Sequence, residues 1–277
     1  MRDIAVVPVY RRGVFRLLAS RRWVLRVLAG LVLVAACVRL GIWQLDRNEE
    51  RAAGNAVIEA NADRDPVPVD EMLEADRPLS PDQLWTPVAA TGTYDVDRQL
   101  LVRLRPLDGR AGMHVLVPLV TAAGTALLVD RGFVEQDGPA NAVPPVPDAP
   151  RGEVDVVGRV RASEEGRGTG GDPDTGAIRY VDVDEIAAWL PYPVYGAWVE
   201  LIEEQPPTPN APVPPAAPVL DAGPHLSYAI QWFLFACIGI GGFVILMRAE
   251  SRLRREDEPE QAEVIDDAEP TPTRLTR

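Results

Sequence analysis

Two apolar runs constrain this chain most, because whatever folds between them must begin and end at the same barrier. The second run, Leu226 to Met247 (LSYAIQWFLFACIGIGGFVILM), is 22 residues long and uncharged. A helix needs ~20 mostly apolar residues to cross a bilayer core, so this run predicts a transmembrane helix. The first, Trp23 to Leu45 (WVLRVLAGLVLVAACVRLGIWQL), has an uncharged centre of twelve residues, Val27 to Val38, between Arg26 and Arg39. Arginines near the ends of a span reach back to the headgroups, so the whole segment is long enough. Trp23 and Trp43 stand where an interfacial aromatic belt belongs. A basic lead and a short apolar core also fit a cleaved signal peptide. The run passes straight into LGIWQLDR with no small-x-small site leading into a loop, which favours an uncleaved anchor. In the second run, Gly239, Gly241 and Gly242 form a small-residue patch that suits close helix approach, and they equally suit ordinary membrane-helix composition.

Charge supplies the orientation. Residues 1–45 hold eight arginines and one acid; residues 46–225 hold 14 arginines and 31 acids. All 28 basic residues are arginine, a bias spread over every segment. Arg11, Arg12, Arg16, Arg21 and Arg22 precede the first span, and Arg248, Arg252, Arg254 and Arg255 follow the second. Positive flanks stay in the cytoplasm, so both termini are expected there and residues 46–224 outside. The acidic middle excludes a nucleic-acid footprint, which needs a basic face. The expected organisation is a basic N-terminus (1–22), a first span (23–45), a soluble β-rich domain (46–204), a proline-rich linker (205–224), a second span (226–247) and an acidic disordered tail (248–277).

The soluble middle reads as α+β. Residues 46–62 predict a helical stalk continuing the first span, and Asp63 to Pro81 is turn-rich. VAATGTYD, QLLVRLR, MHVLVPLV, TALLVDRGFV, EVDVVGRVRA, IRYVDV and VYGAWVELI alternate or run apolar between turn residues, which predicts about seven strands. Thr121 to Gly124 is placed at hairpin spacing. Val183 to Leu190 predicts a short helix capped by Asp182 or Asp184 and stopped by Pro191. An antiparallel sheet or partly closed barrel is expected. Gly138 to Pro150 and Gln205 to Pro218 (QPPTPNAPVPPAAP) read as extended linkers.

Chemistry is sparse. Cys37 and Cys237 both fall inside the apolar runs, so the soluble middle has no disulfide, thiol redox motif or cysteine-based zinc site. GRGTGG, Gly166 to Gly171, lacks the Lys-Ser/Thr end of a phosphate loop and reads as a flexible hairpin. The carboxylates are many, and none is marked as catalytic. His114 alternates with apolar neighbours and reads as a satisfied strand histidine. His225 precedes LSYAIQW at the start of the second span. There an imidazole either ligates a haem iron or metal, or hydrogen-bonds headgroups and caps the helix. No catalytic set assembles, so an enzyme is not expected.

Four stretches together resemble the Surfeit locus protein family of cytochrome c oxidase assembly factors. They are LGIWQLDRNEER (Gly41, Trp43, Gln44 and Arg47, with Arg51 four later), TGTYDVDRQLLVRLRPLDGRAGMHVLVPL (with Gly92), LLVDRGFV (Arg131 and Gly132) and HLSYAIQWFLFA. The third motif usually reads Asn-Arg-Gly-Trp; here it is Asp130-Arg131-Gly132-Phe133. The resemblance implies a multi-pass protein of a bacterial cell membrane that assists maturation of the catalytic subunit of an aa3-type haem-copper oxidase, at haem a delivery. Its implied partners are that subunit, the haem a biosynthesis or insertion machinery and the bilayer. No cofactor is required; a transient haem a is implied, with His225 as its ligand and Tyr228, Gln231 and Trp232 nearby. The rival reading from another class is a generic extracytoplasmic sensor or envelope scaffold with two anchors.

Overall fold

The computed structural model describes residues 21–75, 77–136, 143–164, 170–171 and 175–266, with side chains through residue 252. The chain divides into two units, each taken by itself: residues 52–221, and the flanking segments up to Arg51 and from Ala222.

The flanking unit is built from two long helices. α1 runs Arg21–Asn61, so the expected span and stalk are one helix that ends within a residue of the reading. The second long helix runs His225–Asp266. It continues well beyond the expected end at Met247, into the stretch read as a disordered tail. Arg, Glu, Ala and Gln dominate that extension, and all are strong helix formers. Both helices are long and apolar enough to cross a membrane.

Residues 52–221 carry the sheet. Its strands among the described residues are β1 (Val67–Pro68), β2 (Pro87–Tyr94), β3 (Leu100–Val102), β4 (Gly112–Thr121), β5 (Ala126–Glu135), β6 (Glu153–Ala162), β7 (Ala177–Ile178) and β8 (Val194–Gln205). Between them lie α2 (Val69–Met72) and α3 (Val183–Trp189); the long second helix is α4. The strand order is β1-β2-β6-β8-β5-β4-β3-β7, and β2 also pairs with β4. That extra pairing, Gly92 to Tyr94 against Thr121 to Leu119, returns the sheet on itself. Five strands, β2-β6-β8-β5-β4, thus form a closed ring in which only β5–β8 is parallel. Closure removes the two edges that an open five-stranded sheet would expose. Gly92 permits it: a Cβ there would lie 2.5 Å from the carbonyl oxygen of Val120.

Alternation along the strands sorts the side chains into two cores. Val88, Ala90, Val115, Val117, Leu119, Leu127, Val129, Val154, Val156, Ala197 and Val199 fill the barrel interior. The outward row Leu116, Ala126, Leu128, Val194 and Trp198 is covered by Ile178, Val181, Val183 and Ile186. β5 is apolar on both faces because it contributes to both cores. α3 starts as expected: the Asp182 carboxylate accepts from the Glu185 N–H at 3.4 Å.

Three segments differ from the sequence reading. In IRYVDV only Ile178 remains in a strand, since side chains take over the backbone donors: Val181 N–H donates to Glu164 and Val183 N–H to Ser163. The turn-rich 63–81 stretch contains β1 and α2, which are too short to show periodicity. In the two proline-rich linkers, Val146 and Ala149 pack on the barrel core, and Val213 pairs with Phe133. Most of GRGTGG, residues 166–169, lies outside the described residues, as do 137–142.

Candidate functional site

The two long helices meet along a seam with heptad spacing. On α1 the seam residues are Trp23, Gly30, Val34, Cys37, Gly41 and Gln44; on α4 they are His225, Ala229, Trp232, Ala236, Gly239 and Phe243, with Phe233 beside them. Steps of three and four keep one face of each helix toward its partner. Contacts follow in antiparallel order. Phe243 packs edge-on against Trp23 with ring centroids 6.2 Å apart. A Cβ on Gly239 would touch Val34 at 3.8 Å, and Cys37 and Ala236 are buried. Gly41 leaves room for the Phe233 ring, which a Cβ would meet at 2.8 Å.

The last seam layer is polar. His225 Nδ1 lies 2.9 Å from Gln44 Oε1. Facing an amide oxygen, an Nδ1–H ring would donate to Gln44 and keep its lone pair on Nε2. Gly223, at φ +62°, sits beside the other edge of the ring: a Cβ on it would come within 3.4 Å of Nε2. Trp232 lies on the seam face and packs edge-on against Phe235 at 5.8 Å. Tyr228 flanks the seam and is 48% exposed. Gln231 is also exposed, some 120° round the helix from His225 by the α-helical repeat. Trp43 is 43% exposed and carries the Arg47 guanidinium over its ring at 5.9 Å; Arg47 also pairs with Glu50. The structure thus brings Gln44 and His225 together; Trp232 lies about two turns further along α4, and Gln231 on another face.

Arg131 and Gly132 belong to a different place, the barrel. Two residues of β5, Arg131 and Gly132, oppose the single Val115 of β4. This is a bulge, with Gly132 at φ +123°. Asp130 holds it from one side: one carboxylate oxygen accepts from the Gly132 N–H at 2.9 Å, the other from His114 at 2.7 Å. The carboxylate therefore serves where an asparagine carbonyl would, and His114 is satisfied. Arg131 points into the barrel and is 1% exposed. A second irregularity, in β8 beside Ile202, turns Glu204 inward to meet it. Arg131 Nε and Nη2 donate to the two Glu204 oxygens at 3.2 and 3.0 Å, and Nη2 donates also to Thr208 at 3.0 Å. Tyr94 donates to Glu204 at 3.3 Å, and its phenol is pushed well above the usual tyrosine range by burial and by that carboxylate.

Gly132 then receives the proline-rich return. Phe133 N–H donates to Val213 O at 2.8 Å, and Val213 N–H to Phe133 O at 2.9 Å. A Cβ on Gly132 would lie 2.2 Å from that Val213 oxygen. Arg131 and Gly132 thus lock the strap 206–213 to the barrel. Sequence reasoning missed Glu204 and Tyr94, since only a bulge turns Glu204 inward. It also missed the pairing of Gln44 with His225, although both residues lay in quoted motifs.

Among the described residues no group of three or more His, Cys, Asp or Glu side chains converges to hold a metal ion. Fold and site define a class: a closed β-barrel protein with two membrane-length helices paired through a seam. The SURF1 family model matches residues 31–237. An uncharacterized SURF1-like protein of Mycobacterium tuberculosis is 36% identical over 225 residues, covering 79% of this chain and 80% of its own length. A SURF1-like protein of Monosiga brevicollis is 27% identical, covering 76% and 82%. The Surfeit locus protein 1 of Mus musculus is 25% identical, covering 73% and 69%. The chain belongs to the SURF1 family.

Proposed function

We propose that this protein is a membrane-embedded assembly factor, and not an enzyme, that assists maturation of the catalytic subunit of an aa3-type haem-copper cytochrome oxidase at the step where haem a is placed. Family membership supports the oxidase assignment. The observation that carries the haem step is the His225–Gln44 hydrogen bond, which joins two motif segments 181 residues apart at one point. The donor set fits a haem better than a bare ion. A bare metal ion asks three or four donors of the protein. A haem brings its iron already held by the macrocycle and would need a single donor from the protein, which His225 would supply. Exposed Tyr228 and Trp43 offer aromatic surface of the kind a lipophilic macrocycle packs against. When bound, the haem would supply the iron that His225 ligates; the protein's part is to hold and release it.

A strain lacking this protein should lose most of its assembled aa3 oxidase and the associated haem a absorbance. Affinity capture of the tagged full chain from membranes, with spectra taken on the eluate, should return oxidase subunit and haem together. Unchanged oxidase spectra in the deletion strain would overturn the assignment.

A further inference from the structure

We propose that Gln44 is the positioning residue of His225: its side-chain amide holds the imidazole as the Nδ1–H tautomer and turns a free Nε2 away from the helix seam as a ligand made for release. The inference deepens the reading above and rests on His225 being the ligand.

Three observations carry it. The hydrogen bond places the Gln44 oxygen 2.9 Å from Nδ1. Among the seam residues named above, Gln44 and His225 are the polar pair. The other layers are aromatic, apolar or small, so the position of the amide is set by the pairing of the helices. Gly223 keeps the opposite ring edge clear, because any side chain there would crowd Cδ2 at 3.1 Å and Nε2 at 3.4 Å. One nitrogen is thus held by the amide, and glycine at 223 keeps a side chain from pressing on the edge that carries the other.

The acceptor's chemistry matters as much as its position. Ligating histidines commonly donate their second N–H to a carboxylate or carbonyl, and a carboxylate raises the basicity of the ligating nitrogen. Gln44 offers a neutral amide. It orients the ring without adding a negative charge beside it, which suits a ligand that must surrender its metal. A glutamate at this position would orient equally well and bind harder.

The test uses the full chain in detergent. With only two histidines in the protein, His114 and His225, long-range 1H–15N spectra resolve each ring once His225→Ala assigns the signals. Wild type should show His225 as Nδ1–H without any haem present, and Gln44→Leu should shift it toward Nε2–H. A wild-type Nε2–H ring, or no change in Gln44→Leu, overturns the proposal. Ferric haem b is then titrated in. His225→Ala should abolish the histidine-ligated Soret band, Gln44→Leu should weaken binding about tenfold, and Gln44→Glu should tighten it and slow release. If His225→Ala binds as wild type does, the ligand reading itself fails. If His225→Ala loses binding while Gln44→Leu and Gln44→Glu both match wild type, the ligand reading stands and the positioning role fails. Should Gln44→Leu not fold, Gln44→Glu carries the comparison alone, and unchanged release from it overturns the proposal.

Discussion

Arg131 is a charge enclosed in the interior of a barrel, and its hydrogen bonds go chiefly to one carboxylate. Both partners have been taken out of water, so the pair is better judged by what its halves cost alone than by its attraction. Arg131→Met leaves Glu204 buried and unpaired and should cost about 3–5 kcal/mol in denaturant unfolding. Arg131→Met with Glu204→Leu should cost clearly less than the sum of the single changes, because no charge is then stranded. Gly132→Ala should cost at least about 2 kcal/mol, through the left-handed backbone and the collision with Val213. Faster amide exchange at Phe133 and Val213 would locate that loss in the strap. Glu200 makes a pH-dependent contribution. Burial chiefly, and Asp130 beside it, hold its carboxyl above the usual glutamate value, against the pull of Arg161 at 3.0 Å. The folded state therefore binds this proton more tightly than the unfolded chain does. Stability falls as pH rises from the ordinary glutamate value through the raised one. Thermal midpoints of Glu200→Gln, taken from about pH 4 to 8, should lack that part of the fall.

At the scale of elements, the seam and the ring closure each depend on a missing side chain. Gly41→Val drives two methyl groups into the space of the Phe233 ring and should part the helices near Gln44. Gly241→Ala should be silent, since a Cβ there meets nothing within 4 Å. Cross-linking reads the difference. In a background with Cys37→Ser and Cys237→Ser, a Val34→Cys/Gly239→Cys pair should oxidise readily, and adding Gly41→Val should lower its yield. The same elements show what the sequence made legible. Long apolar runs and period-two strands were plain, because burial writes them residue by residue. The capped helix at Val183 was equally plain. Ring closure was read only as one of two alternatives, a partly closed barrel beside an antiparallel sheet: it depends on the Val120 carbonyl approaching Gly92 across a sheet, and no local pattern encodes that. Glu204 was hidden for a related reason, since one extra residue in β8 reverses the inside-outside parity that alternation predicts. The strap was read as free linker because its composition is that of a linker. Its docking rests on two hydrogen bonds at Val213 and a glycine some eighty residues earlier.

For the whole molecule, the arginines predict which side of a membrane each part faces. Eight arginines against one acid up to residue 45, and four within a few residues after Met247, place the same sign of charge beside both spans. Moving either cluster across a bilayer costs several kcal/mol per charge, whereas residues 46–225, with 31 acids, face no such bias. Both termini should therefore lie in the cytoplasm and residues 46–224 outside. Arg26 and Arg39 do not disturb this, since each is close enough to an end of the expected span 23–45 to reach the headgroups. A membrane-impermeant maleimide on intact cells, in the background without native cysteines, decides it. Ala217→Cys, an exposed position on the return to α4, should label at once. Ser20→Cys and Thr276→Cys should label only after the membrane is opened. Labelling of Thr276→Cys from outside would overturn this topology.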